Sequence, residues 1–279
     1  MIIGSHVDFK KDKGLLGSVI KSLNFGANTF MFYTGAPQNT KRNEVDINYT
    51  LKAHELMKEN NIDINNVIVH APYIINMANI ENYDFNVSFL NQELERVKKL
   101  GITKMVIHPG SHVGKGIEEG IKVIQKVLNN CIDNGVMILL ETMSGKGSEV
   151  GSNFSELKQI ISGVNKKLGI CLDTCHLNDA GYDLTNFDKV LDEFNNIIGI
   201  NYIKCIHIND SKNIMGSHKD RHENIGYGTI GFDNLINIIY NDKIKDVPKI
   251  LETPYINDNP PYKEEIESIL NKKFNSNLK

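Results

Sequence analysis

Short apolar runs and longer amphipathic stretches alternate along the whole chain. The runs lie at 1–7 (MIIGSHV), 27–33 (ANTFMFY), 66–71 (NVIVHA), 104–109 (KMVIHP), 136–141 (VMILLE), 168–173 (LGICLD), 203–208 (IKCIHI) and 249–254 (KILETP). Each is rich in Val, Ile, Leu, Phe or Met with little polar alternation, the pattern of strands buried on both faces of a parallel sheet. Between the runs the apolar positions recur at three- and four-residue intervals. Val87, Leu90, Leu94 and Val97 repeat in this way, as do Ile117, Ile121, Ile124 and Leu128, then Phe187, Val190, Leu191, Phe194 and Ile198, then Leu235, Ile238 and Ile239. Stretches 15–25, 45–59, 154–161 and 262–270 complete the predicted helices. Gly101, Gly135 and Gly199 follow the last apolar positions of three of them, where a helix is expected to stop.

Strict strand–helix alternation implies a parallel sheet. Eight such units in 279 residues fit an α/β fold of one class, a single (β/α)8 TIM barrel. No Pro-, Gly- or Ser-rich linker divides the chain, so 1–279 reads as one domain. The loops after strands two, three, four and seven are read as the longest, elaborating the C-terminal face. An open doubly wound sheet would want a glycine-rich turn after strand one, yet SHVDFKKDKG has no GxGxxG.

The strand ends carry the chemistry. Strand one ends near His6, strand three on His70, strand four on His108, strand five on Glu141, strand six on Asp173, strand seven on His207 and strand eight on Glu252. In a barrel all of these fall on the C-terminal rim, where this fold builds its active sites. Two pairs extend the set. Asp173 and His176 are spaced to face one way over a first helical turn, although 177–181 shows no periodicity of its own. Asp220 and His222 point the same way if the chain there is extended. His70, His108, Glu141, Asp173, His176, His207, Asp220, His222 and Glu252 offer imidazoles and carboxylates without a thiolate, a donor set suited to zinc, manganese or iron. Nine donors exceed what one tetrahedral zinc with an open position can use. Sharing of carboxylates would serve two or three ions. A lone His at a strand end is usually a structural residue; seven of eight strands ending alike is what sets this chain apart. His54 reads as helix surface, His6 as a rim residue beside the ligands, His112 and His218 as loop residues next to them, and Cys175 as packed inward.

The totals adjust this picture only slightly. Cys131, Cys171, Cys175 and Cys205 form no CxxC pair and read as small buried hydrophobes in a reducing compartment. No apolar run approaches the roughly 20 residues of a membrane span, and the N-terminus lacks a signal-peptide layout, so a cytoplasmic protein is expected. The net charge of −3 argues weakly against nucleic acid. Bound dications would reverse the local sign at the rim and supply the attraction for phosphate that composition does not.

Seven segments then carry a resemblance: HAPYIIN (70–76), HPGSH (108–112), LETMSGKG (140–147), DTCHLNDAGYD (173–183), HINDSK (207–212), DRHENIG (220–226) and LETP (251–254). They are similar to the signature blocks of endonuclease IV, the zinc-dependent AP endonuclease family of base excision repair, from Ile2 to about Pro254. The resemblance implies a trinuclear zinc site, with manganese admissible at one position. One zinc would be held by His70, His108 and Glu141. A second would take Glu141, Asp173, His207 and Glu252, and a third His176, Asp220 and His222. It implies hydrolysis of the phosphodiester 5′ to an abasic site in duplex DNA, leaving a 3′-hydroxyl and a 5′-deoxyribose phosphate, with repair of 3′-blocked ends alongside. Glu141 and Glu252 would orient the nucleophile. Tyr73 matches a position that wedges into DNA. The loop 34–39 departs from relatives that place an Arg there, which leaves Gln38 as the candidate to fill the gap. His112, Asn209 and Lys212 are candidates for phosphate contacts or for support behind the ligands. No excess apolar face is evident, so a monomer is expected. The rival readings are a metal-dependent sugar isomerase or epimerase on the same barrel, which would leave His176, Asp220 and His222 without a task, and a non-catalytic metal-binding or DNA-scaffold protein.

Overall fold

The computed structural model describes residues 1–279. Eight strands close into a parallel barrel: β1 (Ile3–His6), β2 (Thr29–Phe32), β3 (Ile68–His70), β4 (Lys104–Ile107), β5 (Met137–Glu141), β6 (Leu168–Asp173), β7 (Ile203–Ile208) and β10 (Lys249–Leu251). A short antiparallel pair, β8 (Asp210–Ser211) and β9 (His222–Glu223), stands apart from it within the long loop after β7. The helices are α1 (Gly14–Asn24), α2 (Ile47–Glu59), α3 (Tyr83–Lys99), α4 (Ile117–Asn130), α5 (Phe154–Ser162), α6 (Thr174–Ala180), α7 (Phe187–Ile197), α8 (Phe232–Ile239) and α9 (Tyr262–Leu270). The (β/α)8 architecture expected from the alternation is present, and the predicted runs fall on the barrel strands.

Two apolar layers flank the strands, which is why the runs alternate so little. Met31, Ile68, Val106, Leu139, Cys171, Cys205 and Ile250, one from each of seven strands, pack together inside the barrel. Their neighbours in sequence, Phe32, Val69, Ile107, Leu140, Leu172, Ile206 and Leu251, belong to the larger core between strands and helices. Side chains on a strand alternate faces with period two. The next inward position along six of those strands is therefore His70, His108, Glu141, Asp173, His207 or Glu252. On β1 there is no room for a side chain one layer down: a Cβ on Gly4 would sit 1.8 Å from the carbonyl oxygen of Thr29.

Register completes the alignment. Between β6 and β7 the pairing slips by one residue, so Ile170 faces Ile203 while Cys171 faces Cys205. Because of that bulge Asp173 pairs with His207 rather than with Ile206. A one-residue slip exchanges the two faces of a strand, so the bulge is what turns His207 toward the rim.

Three features depart from the sequence expectation. The stretch after Asp173 is a helix, α6, with Asp173 as its N-cap accepting from the His176 backbone N–H at 2.8 Å and Gly181 in the left-handed region at its end. It has no amphipathic stripe because Thr174, Cys175, His176, Leu177, Asn178 and Asp179 are all buried. The β8–β9 pair is too short for any apolar pattern to mark it. Among the rim loops, 142–153 after β5 outruns 108–116 after β4.

The loop after β2 is held by buried charge. Glu93 on α3 accepts from Thr34 Oγ1 and from Arg42 Nε, each at 2.6 Å, and Arg96 donates to the carbonyls of Thr34 and Asn43 at 2.9 and 2.6 Å. The Arg42 and Glu93 side chains are 2% and 0% exposed, so losing one partner strands the other in the interior. Glu93→Ala is expected to cost about 3–5 kcal/mol in a denaturant melt and to open the loop to trypsin at Lys41 and Arg42. An unchanged melting curve would refute the role of this pair.

Candidate metal centre

The ends of β3 through β7 and β10, the start of α6 and the β7 loop deliver all nine predicted side chains to one patch of the C-terminal rim. Their donor atoms fall into three groups, each with every pair of atoms within 4.8 Å: His70, His108 and Glu141; Glu141, Asp173, His207 and Glu252; and His176, Asp220 and His222. Glu141 belongs to two of them, with Oε2 3.1 Å from His70 Nε2 and 3.2 Å from His108 Nε2, and Oε1 3.0 Å from His207 Nδ1. Asp173 approaches two members of the third group, His176 Nδ1 at 4.0 Å and His222 Nε2 at 3.7 Å. The groups are thus contiguous.

The imidazoles are turned by the backbone. His70 Nδ1 lies 2.7 Å from the Ala71 carbonyl and His176 Nδ1 lies 2.8 Å from the Thr142 carbonyl. A carbonyl only accepts, so in each ring Nδ1 carries the proton and Nε2 of the neutral form presents a lone pair. Yet His70 Nε2 faces Glu141 Oε2 and His176 Nε2 faces Asp220 Oδ1, both at 3.1 Å. Two acceptors at that distance require a positive charge between or beside them, either a second proton or a metal ion. His222 Nε2 is buried with no hydrogen-bond partner and stands 3.6 Å from Asp220 Oδ1, whereas His207 presents Nδ1 to the carboxylates and its unpartnered Nε2 lies on the other side of the ring. Backbone-oriented imidazoles, opposed carboxylates and a buried unpartnered nitrogen among them together fit a cluster of divalent ions with nitrogen and oxygen ligands.

Among themselves the groups neutralise one another. Burial by itself would raise the Glu141 carboxyl, but the adjacent His207 and His108 hold it well below the usual carboxylate range. Burial is likewise outweighed at Glu252, which His207 lowers, and at Asp220, which His176 holds at about 2. The reciprocal effect raises His108 beside Glu141 and His176 beside Asp173 and Asp220, again against burial. His6 is pushed down to about 4, chiefly by burial, and stays uncharged; its ring stands 5.0 Å from that of Tyr33, which stands 5.0 Å from His70.

The remaining predicted residues divide. Tyr73 is 54% exposed on the loop after β3, and Gln38 and Lys212 are exposed on the loops after β2 and β7. Arg42, the nearest arginine to Gln38 in sequence, is turned inward to Glu93. His112 has its Nδ1 taken by the Gly116 backbone N–H at 3.0 Å. Of the two roles left open for Asn209, support behind the ligands is the one its position fits. It is fully buried, donates to Asp173 Oδ2 at 2.8 Å and accepts from the Glu252 backbone N–H at 3.0 Å, so it supports the Asp173 carboxylate and the backbone of Glu252 from beneath. His54 is half-buried, with Nε2 2.9 Å from the Leu100 carbonyl. His218, on the β7 loop, has Nδ1 2.8 Å from the Ser144 carbonyl. Cys175 is buried within donor reach of Asp173 and His222, and burial followed by the charge of Asp173 raises its thiol, which keeps the proton there. Cys171 and Cys205 approach His207 from inside the barrel, as part of its apolar layer.

Sequence reasoning passed over Asp210. Its carboxylate, fully buried, accepts from the backbone N–H groups of Ser211, Gly226, Gly228 and Ile230 at 2.8, 3.1, 3.0 and 2.9 Å. It thereby shapes the loop that carries Asp220 and His222. The signal available was an Asp inside HINDSK followed by a run of glycines, a carboxylate among turn-forming amides.

Comparison with known proteins agrees with this geometry. The family described as xylose isomerase-like TIM barrel matches residues 20–272. "Probable endonuclease 4" of Acholeplasma laidlawii is 52% identical over 288 residues, covering 100% of this chain and 98% of its own. The protein of the same name from Staphylococcus aureus strain JH9 is 51% identical over 293 residues, with coverage of 100% and 98%. The crystal structure of endonuclease IV from Thermus thermophilus superposes with a TM-score of 0.84 at 27% identity, covering 98% of this chain and 100% of that one. A D-tagatose 3-epimerase-like protein, at 20% identity and a TM-score of 0.68 over 98% of this chain and 96% of its own, shares the fold alone. With half of its residues identical to these relatives over its full length, the chain belongs to the endonuclease 4 family of xylose isomerase-like TIM barrels.

Proposed function

We propose that the protein is an apurinic/apyrimidinic endonuclease. As a single-domain monomer it hydrolyses the phosphodiester 5′ to an abasic site in duplex DNA, leaving a 3′-hydroxyl and a 5′-deoxyribose phosphate, and it clears 3′-blocked ends at the same site. The observation that carries the reading is the contiguous set of three donor groups joined through Glu141. A sugar isomerase or epimerase on this barrel would leave the His176–Asp220–His222 group idle. No helix is long and apolar enough to cross a membrane, in keeping with work on the nucleoid in the cytoplasm.

Three zinc ions are the proposed complement, one to each donor group, with manganese admissible at one. Bound there, they supply Lewis acidity and positive charge for the phosphate and acidify water. The chain's own residues do the rest. Glu141 ties two groups together and fixes their separation. Glu252, 15% exposed at the mouth and 2.9 Å from His207 Nδ1, is placed with Glu141 to orient attacking water. Asn209 keeps Glu252 and Asp173 in place from below.

Selectivity is assigned to extrusion of the damaged nucleotide into the rim, which costs least where no base has to be unpaired. Tyr73 is the proposed wedge, Gln38 fills the vacated space, and Lys212 and His112 meet the backbone. The rim loops also expose Val113, Ile214, Met215 and Tyr255 at 57%, 75%, 53% and 50%, a scatter of apolar tips suited to unstacked bases and sugar faces.

The test is incision of a duplex with one abasic analogue. Zinc-loaded protein is expected to give a single 5′ nick, lost on prolonged chelation and regained with zinc. Failure to nick, together with turnover of a ketose, would refute the reading. Glu252→Gln is expected to lower the nicking rate by roughly 10²–10³-fold, the usual worth of a group that positions charge at the reacting centre, with the circular dichroism spectrum intact. Stripping the metals is expected to lower the melting temperature by on the order of 10 °C, because ions that bind only the folded chain stabilise it by mass action. Equal melting of stripped and loaded protein would count against a structural ion cluster.

A further inference from the structure

The third donor group differs from the other two in how it is built. His176 comes from a helix attached directly to β6, whereas Asp220 and His222 lie far out in the 23-residue excursion between β7 and α8. A loop of that length has no intrinsic reason to return two side chains to within 4.8 Å of an imidazole on another element. Its turn residues His218 and Asp220 stand at φ 53° and 56°, in the left-handed region that non-glycine residues seldom occupy without outside support.

That support comes from one carboxylate. Asp179, on α6 one turn beyond His176, is fully buried. Its Oδ2 accepts from the Asp220 backbone N–H at 2.9 Å and from Asn213 Nδ2 at 3.1 Å. Its Oδ1 accepts from Ser211 Oγ at 2.6 Å and from Asn178 Nδ2 at 3.0 Å. Its carbonyl accepts from the His218 backbone N–H at 2.9 Å, and the preceding carbonyl of Asn178 accepts from Gly216 at 2.9 Å. Ser211 in turn is the β-ladder partner of His222. One side chain thus bonds directly to the residue carrying Asp220, to the strand paired with His222, and sits on the same helix face as His176.

We propose that Asp179 is the positioning residue of the third metal site. It fixes the distance between His176 and the β7 loop, so that the His176–Asp220–His222 group closes on an ion while the other two groups are independent of it. Asp179 faces no open rim and touches no substrate; its effect is exerted through Asp220 and His222. The proposal rests on the three-metal reading above, and its test separates the two.

Wild-type protein and the variants Asp179→Ala and Asp179→Asn are loaded with zinc and freed of excess by gel filtration. Zinc per chain is then measured by mass spectrometry of the digested protein, and zinc release is followed with a chromophoric chelator. Wild type is expected to hold three ions. Asp179→Ala is expected to release one of them at least about tenfold faster, the lower end of the loss seen when a group supporting a ligand is removed. The other two should leave at the wild-type rate. Asp179→Asn keeps the volume and one acceptor oxygen, which can turn to the Asp220 N–H, and is expected to recover much of the loss. A merely structural role would move all three release phases together and would not be graded between the two variants.

Should Asp179→Ala fail to fold, Ser211→Ala removes a single donor from the clamp and is expected to quicken the same release phase by a smaller factor. Release of all three ions at wild-type rates from a folded Asp179→Ala, or from both other variants if it does not fold, overturns the proposal. Wild-type protein that holds fewer than three ions overturns the metal reading instead.

Discussion

The rim depends on a spacing of two residues. Met31, Ile68, Val106, Leu139, Cys171, Cys205 and Ile250 close the barrel from inside, and the pleat places the next inward side chain of six of those strands one layer higher, where apolar filling stops. An apolar residue there would seal the barrel. This chain has His70, His108, Glu141, Asp173, His207 and Glu252 instead. The same packing that stabilises the fold therefore fixes the donors, because moving any strand by one residue would send its donor into the helix layer.

Placing four carboxylates and five imidazoles in one mostly buried patch is costly unless charge balances. The structure balances it within the set, each carboxylate facing at least one imidazole and the rings of His70, His176 and His222 braced by backbone carbonyls. Divalent ions can replace that internal balance without repacking the core, since the donors of each group already face one another and His222 Nε2 lies buried with no partner. The residues beneath the donors follow the same logic. Asn209 and Asp210 direct their hydrogen bonds to backbone amides or to a donor carboxylate, and Asp179 collects one backbone amide and three side-chain donors, so the long β7 loop is held by buried polar contacts in place of an apolar core of its own.

The site draws on two kinds of scaffold. Donors on strand ends have their backbone held by the parallel ladder. Asp220 and His222 have only a two-residue ladder, β8–β9, and the bonds to α6 and Asp210. Local stability is expected to be lower where buried apolar contacts are fewer, and this part of the rim is held largely by polar contacts and exposes Ile214 and Met215. A rigid floor with one polar-stapled wall suits an enzyme that has to admit a bulky duplex.

Much of this was legible in the sequence. The barrel could be read because each strand is an apolar run short enough to be told from a helix, and the helices keep their three-and-four spacing. The donors could be read because they recur at strand ends, a coincidence that local packing does not explain. Helix α6 was not legible, since its polar residues are buried and the periodicity that reveals a surface helix is absent; its cap Asp173 and terminal Gly181 were the signals. Asn209 could not be told from a DNA contact because burial depends on the strands either side of it. The sequence by itself determined the fold and the identity of the donors, through patterns within a few residues. The residue pattern left open how the donors divide, a division with Glu141 shared that the family resemblance implied; only the tertiary structure decided that Asp173 reaches toward two groups and which further polar residues brace the donors. Those choices turn on the β6–β7 bulge and on contacts between residues more than thirty positions apart, which no local pattern encodes.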